Sequence, residues 1–298
     1  MKKTYILGVT LALGAAILNG TVGVFSKWLF QSNLTATGIS FYKCLVAFLV
    51  VSIVALMNKN IRMNIVQLKM KMKYMMISSF LGVFVLYFFE TAAYKYESVP
   101  LVVFILLGTS VLTTFIFSSI LLKETKRKHQ YVGLILLIIG LLTMNFAEGE
   151  VKGQSLGIVL AAVAGVGYGL FLVFTKKFTL AGGLALIWYL MLFGVLYLFV
   201  PFYVEGLAVP NLPSMPLLIS LAIFPTLGGF YCTTKALNYL DAHKVQFLEL
   251  TEPVFATIFA FLFLQEYIKG IEIIGAVLIL VAIYISENNK IGQIVGLK

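Results

Sequence analysis

The residues able to do chemistry in this chain are charged groups lodged in apolar runs. In LELTEPVFATIFAFLFLQE, residues 248–266, Glu249 and Glu252 stand near the start of a stretch otherwise fit for lipid. A charge at bilayer depth costs on the order of 2.5–3.5 kcal/mol even on lenient insertion scales, so such residues face a polar interior and mark a pathway or a relay. Three residues apart, the two acids share one helix face. Pro253 cannot donate to the Glu249 carbonyl, which predicts a kink and a free backbone acceptor beside the acids. Acid and opened carbonyl together suit a proton or a cation; the alternative for Glu252 is that the Glu-Pro pair shapes the helix.

Glu90, in VLYFFETAAYKY, is the third coupling candidate. Tyr87 precedes it by three residues and Tyr94 follows it by four, so all three form one stripe. A carboxylate flanked by phenols can hold an ammonium by charge, hydrogen bonds and ring faces. Lys43, in FYKCLVAFLV, lies at a similar depth; it is either the ion-pair partner of Glu90 or a contact for a carboxylate. Tyr231 and Lys235 are four apart in GGFYCTTKALNYL, with Lys235 either snorkelling to the interface or turned inward to meet Glu249 or cargo.

Elements long enough to carry these groups dominate the sequence. Of 298 residues, 61% are hydrophobic and only 11% charged, with mean hydropathy +1.01. A soluble domain carries roughly 25% charged residues, so this composition excludes a water-facing globule. Runs of about 20 apolar residues predict spanning helices at 5–27, 35–57, 73–95, 98–122, 131–147, 155–176, 183–204, 215–238, 242–264 and 268–286. Unbroken runs such as YVGLILLIIGLLTMNF exclude the alternating strands of a barrel. The basic start and apolar core of the first 20 residues resemble a signal peptide, but the run continues to Phe25 and reads as the first span. The fold class is therefore an all-α polytopic membrane protein with ten transmembrane helices.

The formal net charge of +10 does not signal nucleic acid, because its distribution is one-sided. With the N-terminus inside, cytoplasmic segments hold Lys2, Lys3, Lys59, Arg62, Lys69, Lys71, Lys73, Lys123, Lys126, Arg127, Lys128, Lys176, Lys177, Lys244, Lys290 and Lys298. The outer loops hold Lys95, Lys152 and Lys269. That imbalance places both termini in the cytoplasm. The basic stretch NKNIRMNIVQLKMKMK reads as a topogenic loop or an interfacial amphipathic segment. Cys44 and Cys232 fall within spans and are expected to pack, not pair. His129 and His243, at helix ends, make no metal cluster, so no metal or cofactor is expected and no hydrolytic constellation is visible.

The chain repeats itself. At an offset of 142, TSVLTTFIFSSILLKETKRKHQYVGLILLIIG from Thr109 aligns with TEPVFATIFAFLFLQEYIKGIEIIGAVLILVA from Thr251, matching Leu122 with Leu264, Glu124 with Glu266 and Gly133 with Gly275. At an offset of 149, Gly20, Phe25 and Lys27 match Gly169, Phe174 and Lys176, and Asn19 falls opposite Tyr168. Five spans per half is an odd number, so the halves, 1–150 and 151–298 joined through NFAEGEVKGQ, form two inverted five-helix repeats. Such repeats hold a ligand near the midplane between them. Glu124 and Glu266 are expected to serve helix termini, Lys27 and Lys176 to anchor at the interface, and Gly20, Gly23, Gly165, Gly169, Gly228 and Gly229 to allow close helix approach.

LTEPVFATIFAFLFLQE, the basic residue of FYKCLVAFLV and the repeated helix–acid–loop–glycine element resemble the EamA-type transporters of the drug/metabolite transporter superfamily, over essentially the whole chain. The resemblance implies secondary transport of small metabolites, often amino acids, commonly outward. It also implies a central cavity lined by spans one, three, four, six, eight and nine, with five and ten peripheral.

Both signs of charge at one depth suit a zwitterion, whose own charges leave none unpaired. The expected substrate-binding set is Asn19, Lys43, Tyr87, Glu90, Tyr94, Tyr168, Tyr231, Lys235 and Glu249. The expected function is amino-acid or related metabolite export by alternating access, with exchange for protons as the candidate coupling, through a multi-pass bacterial cytoplasmic (plasma) membrane. The rival cargo is an organic cation such as choline, held by Glu90, Glu249 and the tyrosines while the lysines are structural. A membrane enzyme or a scaffold is disfavoured by the missing nucleophile–base motif and by the inverted repeat. Expected partners are a small-molecule substrate and the lipid bilayer, with no nucleic acid.

Overall fold

In lipid each backbone polar group must be satisfied within its own segment, and apolar runs of this length answer with helices. The computed structural model describes residues 2–146, 154–180, 182–267 and 270–287, and the described elements are helical throughout. The linker residues 147–153, Lys269, Lys290 and Lys298 lie outside the described residues, as do the side chains of Lys2, Lys3 and Lys152.

The first span is α1 (Lys2–Asn19) and α2 (Val22–Phe30), and the second is α3 (Ala36–Met57). The third follows an amphipathic helix, α4 (Lys59–Leu68), and consists of α5 (Met72–Ser79), a π-helical segment Phe80–Val85 and α6 (Leu86–Ala93). Next come α7 (Val99–Leu121), α8 (Lys128–Phe146), α9 (Gln154–Lys177) and α10 (Leu184–Val204). The eighth span is α11 (Met215–Leu221), a second π-helical segment Ala222–Gly229 and α12 (Phe230–Ala236). The ninth is α13 (Ala242–Glu249) and α14 (Glu252–Leu264), and α15 (Gly270–Glu287) is the last.

Eight stretches among the described residues are helices long and apolar enough to cross a membrane. The other two expected spans correspond to α8 and α15, whose shorter apolar stretches are Lys128–Gly140 and Ile273–Ala282. These two helices pack on each other. A Cβ on Gly140 would stand 2.9 Å from the Gly275 carbonyl oxygen. Leu49, Ile53, Leu56, Val200, Val204 and Phe263 are exposed on the outside, where a soluble protein would place polar groups. Helix α7 occupies the middle, with most of its residues buried. It packs along α9, where a Cβ on Gly165 would collide with the Leu106 carbonyl and one on Gly169 with the Ser110 carbonyl.

Three local expectations are corrected. The basic stretch 58–73 is not a loop. Asn58 caps α4 by accepting from the Asn60 and Ile61 amides, and the helix lies half-exposed with its Ile65 carbonyl accepting from Tyr189 Oη. Pro253 does not kink a continuous helix. α13 ends at Glu249, Leu250 and Thr251 form a turn, and Pro253 sits in the first turn of α14, where its missing N–H costs nothing. Glu249 and Glu252 therefore belong to different helices and do not share a face. The first span breaks in the same way at Gly20 and Thr21, and this break packs against the start of α14, where a Cβ on Gly20 would stand 3.0 Å from the Ala256 amide nitrogen.

The helix ends are tied across the molecule by paired carboxylates. α7 ends on Lys123 (φ 54°) and α14 on Gln265 (φ 56°), each in the left-handed region, with Glu124 and Glu266 donating back to the Ser118 and Ala260 carbonyls. The Glu124 carboxylate accepts from the Ala242 amide at 3.2 Å, approaches His243 Nδ1 at 2.7 Å and pairs with Lys126 at 3.2 Å. The Glu266 carboxylate accepts from the Val99 amide at 2.8 Å and pairs with Lys27. Each acid thus closes its own helix and caps the helix start of the other half. Burial would push Glu124 up, but His243 and Lys126 overcome it and hold its carboxyl at about 2. Lys176 donates to the Leu240 carbonyl and stands 3.7 Å from Asp241.

Candidate functional site

Where the broken first and ninth spans meet, the helices leave a tight, partly open cavity of about 30 Å³. Its walls come from α1, α2, α6, α7, α9, the second π segment, α12 and α14. These are the spans numbered one, three, four, six, eight and nine.

Glu252 opens α14 on one wall, 6% exposed, beside Asn19. Asn19 can come this close because its carboxamide oxygen occupies the space that a Cβ on Gly229 would need. Glu90 and Tyr87, from α6, form the facing wall. Tyr94, one turn on, donates to Glu90 Oε1 at 3.3 Å from outside the lining. Lys43 lies behind them, fully buried. Its Nζ is 3.8 Å from Glu90 Oε2 and 3.7 Å from the centre of the Tyr87 ring, without a hydrogen bond of its own. The Glu90–Lys43 ion pair weighed from sequence is the arrangement present, and Tyr87 adds a cation–π contact.

Glu249 stands apart from the cavity. Tyr168, which does line it, donates to Glu249 Oε2 at 2.7 Å, and Thr233 donates to Oε1 at 2.5 Å. The carboxylate is fully buried and held by two hydroxyls, with no ion-pair partner among the described residues. Protonation of Glu249 would weaken the acceptor that Tyr168 donates to and add a donor beside it, which couples the residue to the cavity through that phenol.

Tyr231 and Lys235 do not join this set. Phe230 faces the cavity and contacts Tyr87, Tyr168 and Phe171 by its ring. One residue further, about 100° around the helix, Tyr231 already points elsewhere, and Lys235 follows one turn later on the same side. Both line a separate vestibule between α4 and the start of α10. Sequence reading missed Pro225, Thr226, Phe230 and Thr233. The signal for Pro225 and Thr226 was present, because a proline inside the eighth span, FPTLGG, marks a helix irregularity. Thr233 had none.

The lining therefore carries two carboxylates, Glu90 and Glu252, and no lysine, arginine or histidine. Among the described residues no group of three or more His, Cys, Asp or Glu is placed to hold a metal ion.

Comparison with known proteins places this geometry. The model of the EamA-like transporter family matches twice, over residues 6–146 and 155–287. An "Uncharacterized transporter" of Clostridium kluyveri is 28% identical over 62% of this chain and 63% of its own length. A "Probable amino-acid metabolite efflux pump" of Escherichia coli is 25% identical over 58% and 62%. The chain thus aligns with less than two thirds of the length of either. A solved structure described as the crystal structure of a protein shares the fold with a TM-score of 0.70, over 94% of this chain and 96% of that one, at 16% identity.

Proposed function

The chain belongs to the EamA-like transporter family, a family of transporters and not of enzymes, and from that premise we propose that it exports small amine-bearing metabolites, foremost amino acids. The observation that carries the reading is the cavity between the broken spans, whose walls hold Glu252 and Glu90 among aromatic rings. An ammonium entering it meets Glu252, which lies beside the neutral Asn19 and within electrostatic reach of Glu90 and Glu249, and the faces of Tyr87 and Phe230. Lys43 lies behind Tyr87 and Glu90 and is not part of the lining, so the cargo's carboxylate meets no cation of the cavity wall. A proton and an ammonium can each neutralise Glu252, and their exclusion of one another on a single carboxylate is the simplest exchange coupling.

Ten spans in two inverted halves, 1–150 and 151–298, with both termini cytoplasmic in a bacterial cytoplasmic membrane, complete the reading. It is supported by the double family match, the shared offsets of 142 and 149 and the one-sided lysines. Relatives named as amino-acid metabolite efflux pumps support the cargo class.

One observation favours a second reading. Because Lys43 is neutralised by Glu90, the lining has acids without a free cation, which also suits an organic cation such as choline. Purified protein in vesicles with an imposed pH gradient, supplied with radiolabelled leucine or choline, separates the two. Leucine flux that dissipates the gradient upholds the export reading. Choline flux without leucine flux replaces it, and flux of neither refutes both.

A further inference from the structure

The vestibule that took Tyr231 and Lys235 away from the cavity has a chemistry of its own. It lies between α4 and the segment from Gly182 to Ala185 that leads into α10, and has a volume of about 620 Å³. Its charged lining is Lys71 and Lys235, with no acid; Asn64, Gln67 and Asn238 supply further polar groups. The two lysines are not equivalent. All three Lys71 N–H groups are engaged, by the Phe178 and Thr179 carbonyls at 3.0 and 2.8 Å and by Thr179 Oγ1 at 2.9 Å. That lysine fastens the end of α9. Lys235 makes no hydrogen bond and has no carboxylate partner among the described residues. Its Nζ lies 5.9 Å from the Tyr231 ring centre and beside Gly183, where a Cβ would stand 3.5 Å away. A half-buried ammonium with three unused donors, facing a basin without acids, attracts an anion.

We propose that this vestibule is a loading site that captures the carboxylate of the cargo through Lys235 before the amine end passes to the acids of the central cavity. The inference rests on the export reading and places the vestibule on the cytoplasmic side, where α4 and its lysines fall under the positive-inside distribution. The eighth span links the two compartments directly, since Phe230 lines one and Tyr231, the next residue, lines the other. Capture outside and release of the carboxylate inside explains why a cation is displayed where cargo enters and neutralised where it is carried.

Three probes divide the recognition: leucine, N-acetyl-leucine, which keeps only the carboxylate, and leucine methyl ester, which keeps only the ammonium. Each is tested for thermal stabilisation of the purified protein, because a ligand that binds the folded state raises apparent stability. N-acetyl-leucine is expected to stabilise the wild type and Lys235→Arg but not Lys235→Gln, whereas the methyl ester stabilises all three alike. In vesicle flux, Lys235→Gln raises the half-saturating leucine concentration about tenfold from the lysine-rich face, the effect of one lost charge-assisted bond, and leaves it unchanged from the other. An N-acetyl-leucine response equal in wild type and Lys235→Gln, or a flux defect equal from both faces, overturns the proposal. So does a Lys235-dependent stabilisation by phosphatidylglycerol nanodiscs that N-acetyl-leucine does not compete away, which assigns the ammonium to a lipid phosphate. If the wild type moves no leucine but N-acetyl-leucine still stabilises it through Lys235, the export reading falls and the anion site stands.

Discussion

The central cavity and the vestibule meet on one helix and carry opposite signs. The cavity keeps its single nearby lysine behind Tyr87 and Glu90, 3.8 Å from a carboxylate, and presents acids. The vestibule presents lysines and no acid. Water explains much of the contrast. A half-exposed ammonium keeps part of its hydration and can stand unpaired, whereas a fully buried one must be compensated locally or cost several kcal/mol. A buried charge in this molecule is therefore either part of a neutral set, as Lys43 is, or set among neutral polar groups, as Glu249 is between two hydroxyls, while a charge left at a wet edge, as Lys235 is, stands unpaired.

The largest test of that contrast is on the neutral set. Lys43→Met strands Glu90 in a buried site and is expected to lower stability by about 3–5 kcal/mol. Pairing it with Glu90→Gln restores most of the loss, as thermal unfolding of the single and double variants would show. If the single variant is as stable as the wild type, the pair does not hold the cavity wall. Next in size, Glu252→Gln removes the cavity acid that lacks a lysine partner, and leucine flux is expected to fall about a hundredfold, as for loss of a buried charged contact. Unchanged flux would move amine recognition out of the cavity. Glu249→Gln keeps an acceptor for Tyr168 or Thr233 but removes the charge, and flux is expected to fall about tenfold. Its pH profile, compared with that of Glu252→Gln, shows which acid exchanges protons.

The smallest effect lies outside both compartments. Glu124 is held at about 2, against an ordinary 4.5. A carboxyl depressed by folding adds stability that is fully present above about pH 4.5 and is lost as the pH falls toward 2. Glu124→Gln is expected to flatten that part of the acid-unfolding curve while leaving the acid dependence of transport in place. If the variant removes the acid dependence of transport instead, the proton-sensitive step belongs to the helix tie and not to the cavity.

Much of this was legible in the chain. Apolar run length gave the spanning segments, and spacing gave the Tyr87–Glu90–Tyr94 stripe and the symmetry of Asn19 with Tyr168. What escaped depends on distances that only folding sets. Nothing in ALNYLDAHK says that the Ala242 amide will meet Glu124, 118 residues earlier. The break before Glu252 was read as a kink because proline at a helix start and proline within a helix look alike in one sequence. Lys235 was assigned to the wrong compartment because a residue's angle around a helix is meaningful only once the facing side is known, and the irregular turn at Ala222–Gly229 shifts that angle. Composition carries no mark of such a shift.

That irregularity occurs twice. The π-helical segments begin at Phe80 and at Ala222, separated by the same 142 positions that relate Glu124 to Glu266. A π turn holds one residue more than the turn it replaces, so each is a stored length of slack. Releasing it would rotate everything beyond by about 100°, swinging Tyr87 and Glu90 off one wall, or Phe230 off the other. The two helices that bring the aromatic and acidic walls together are thus built like matched ratchets, one per half, each able to advance by a single tooth.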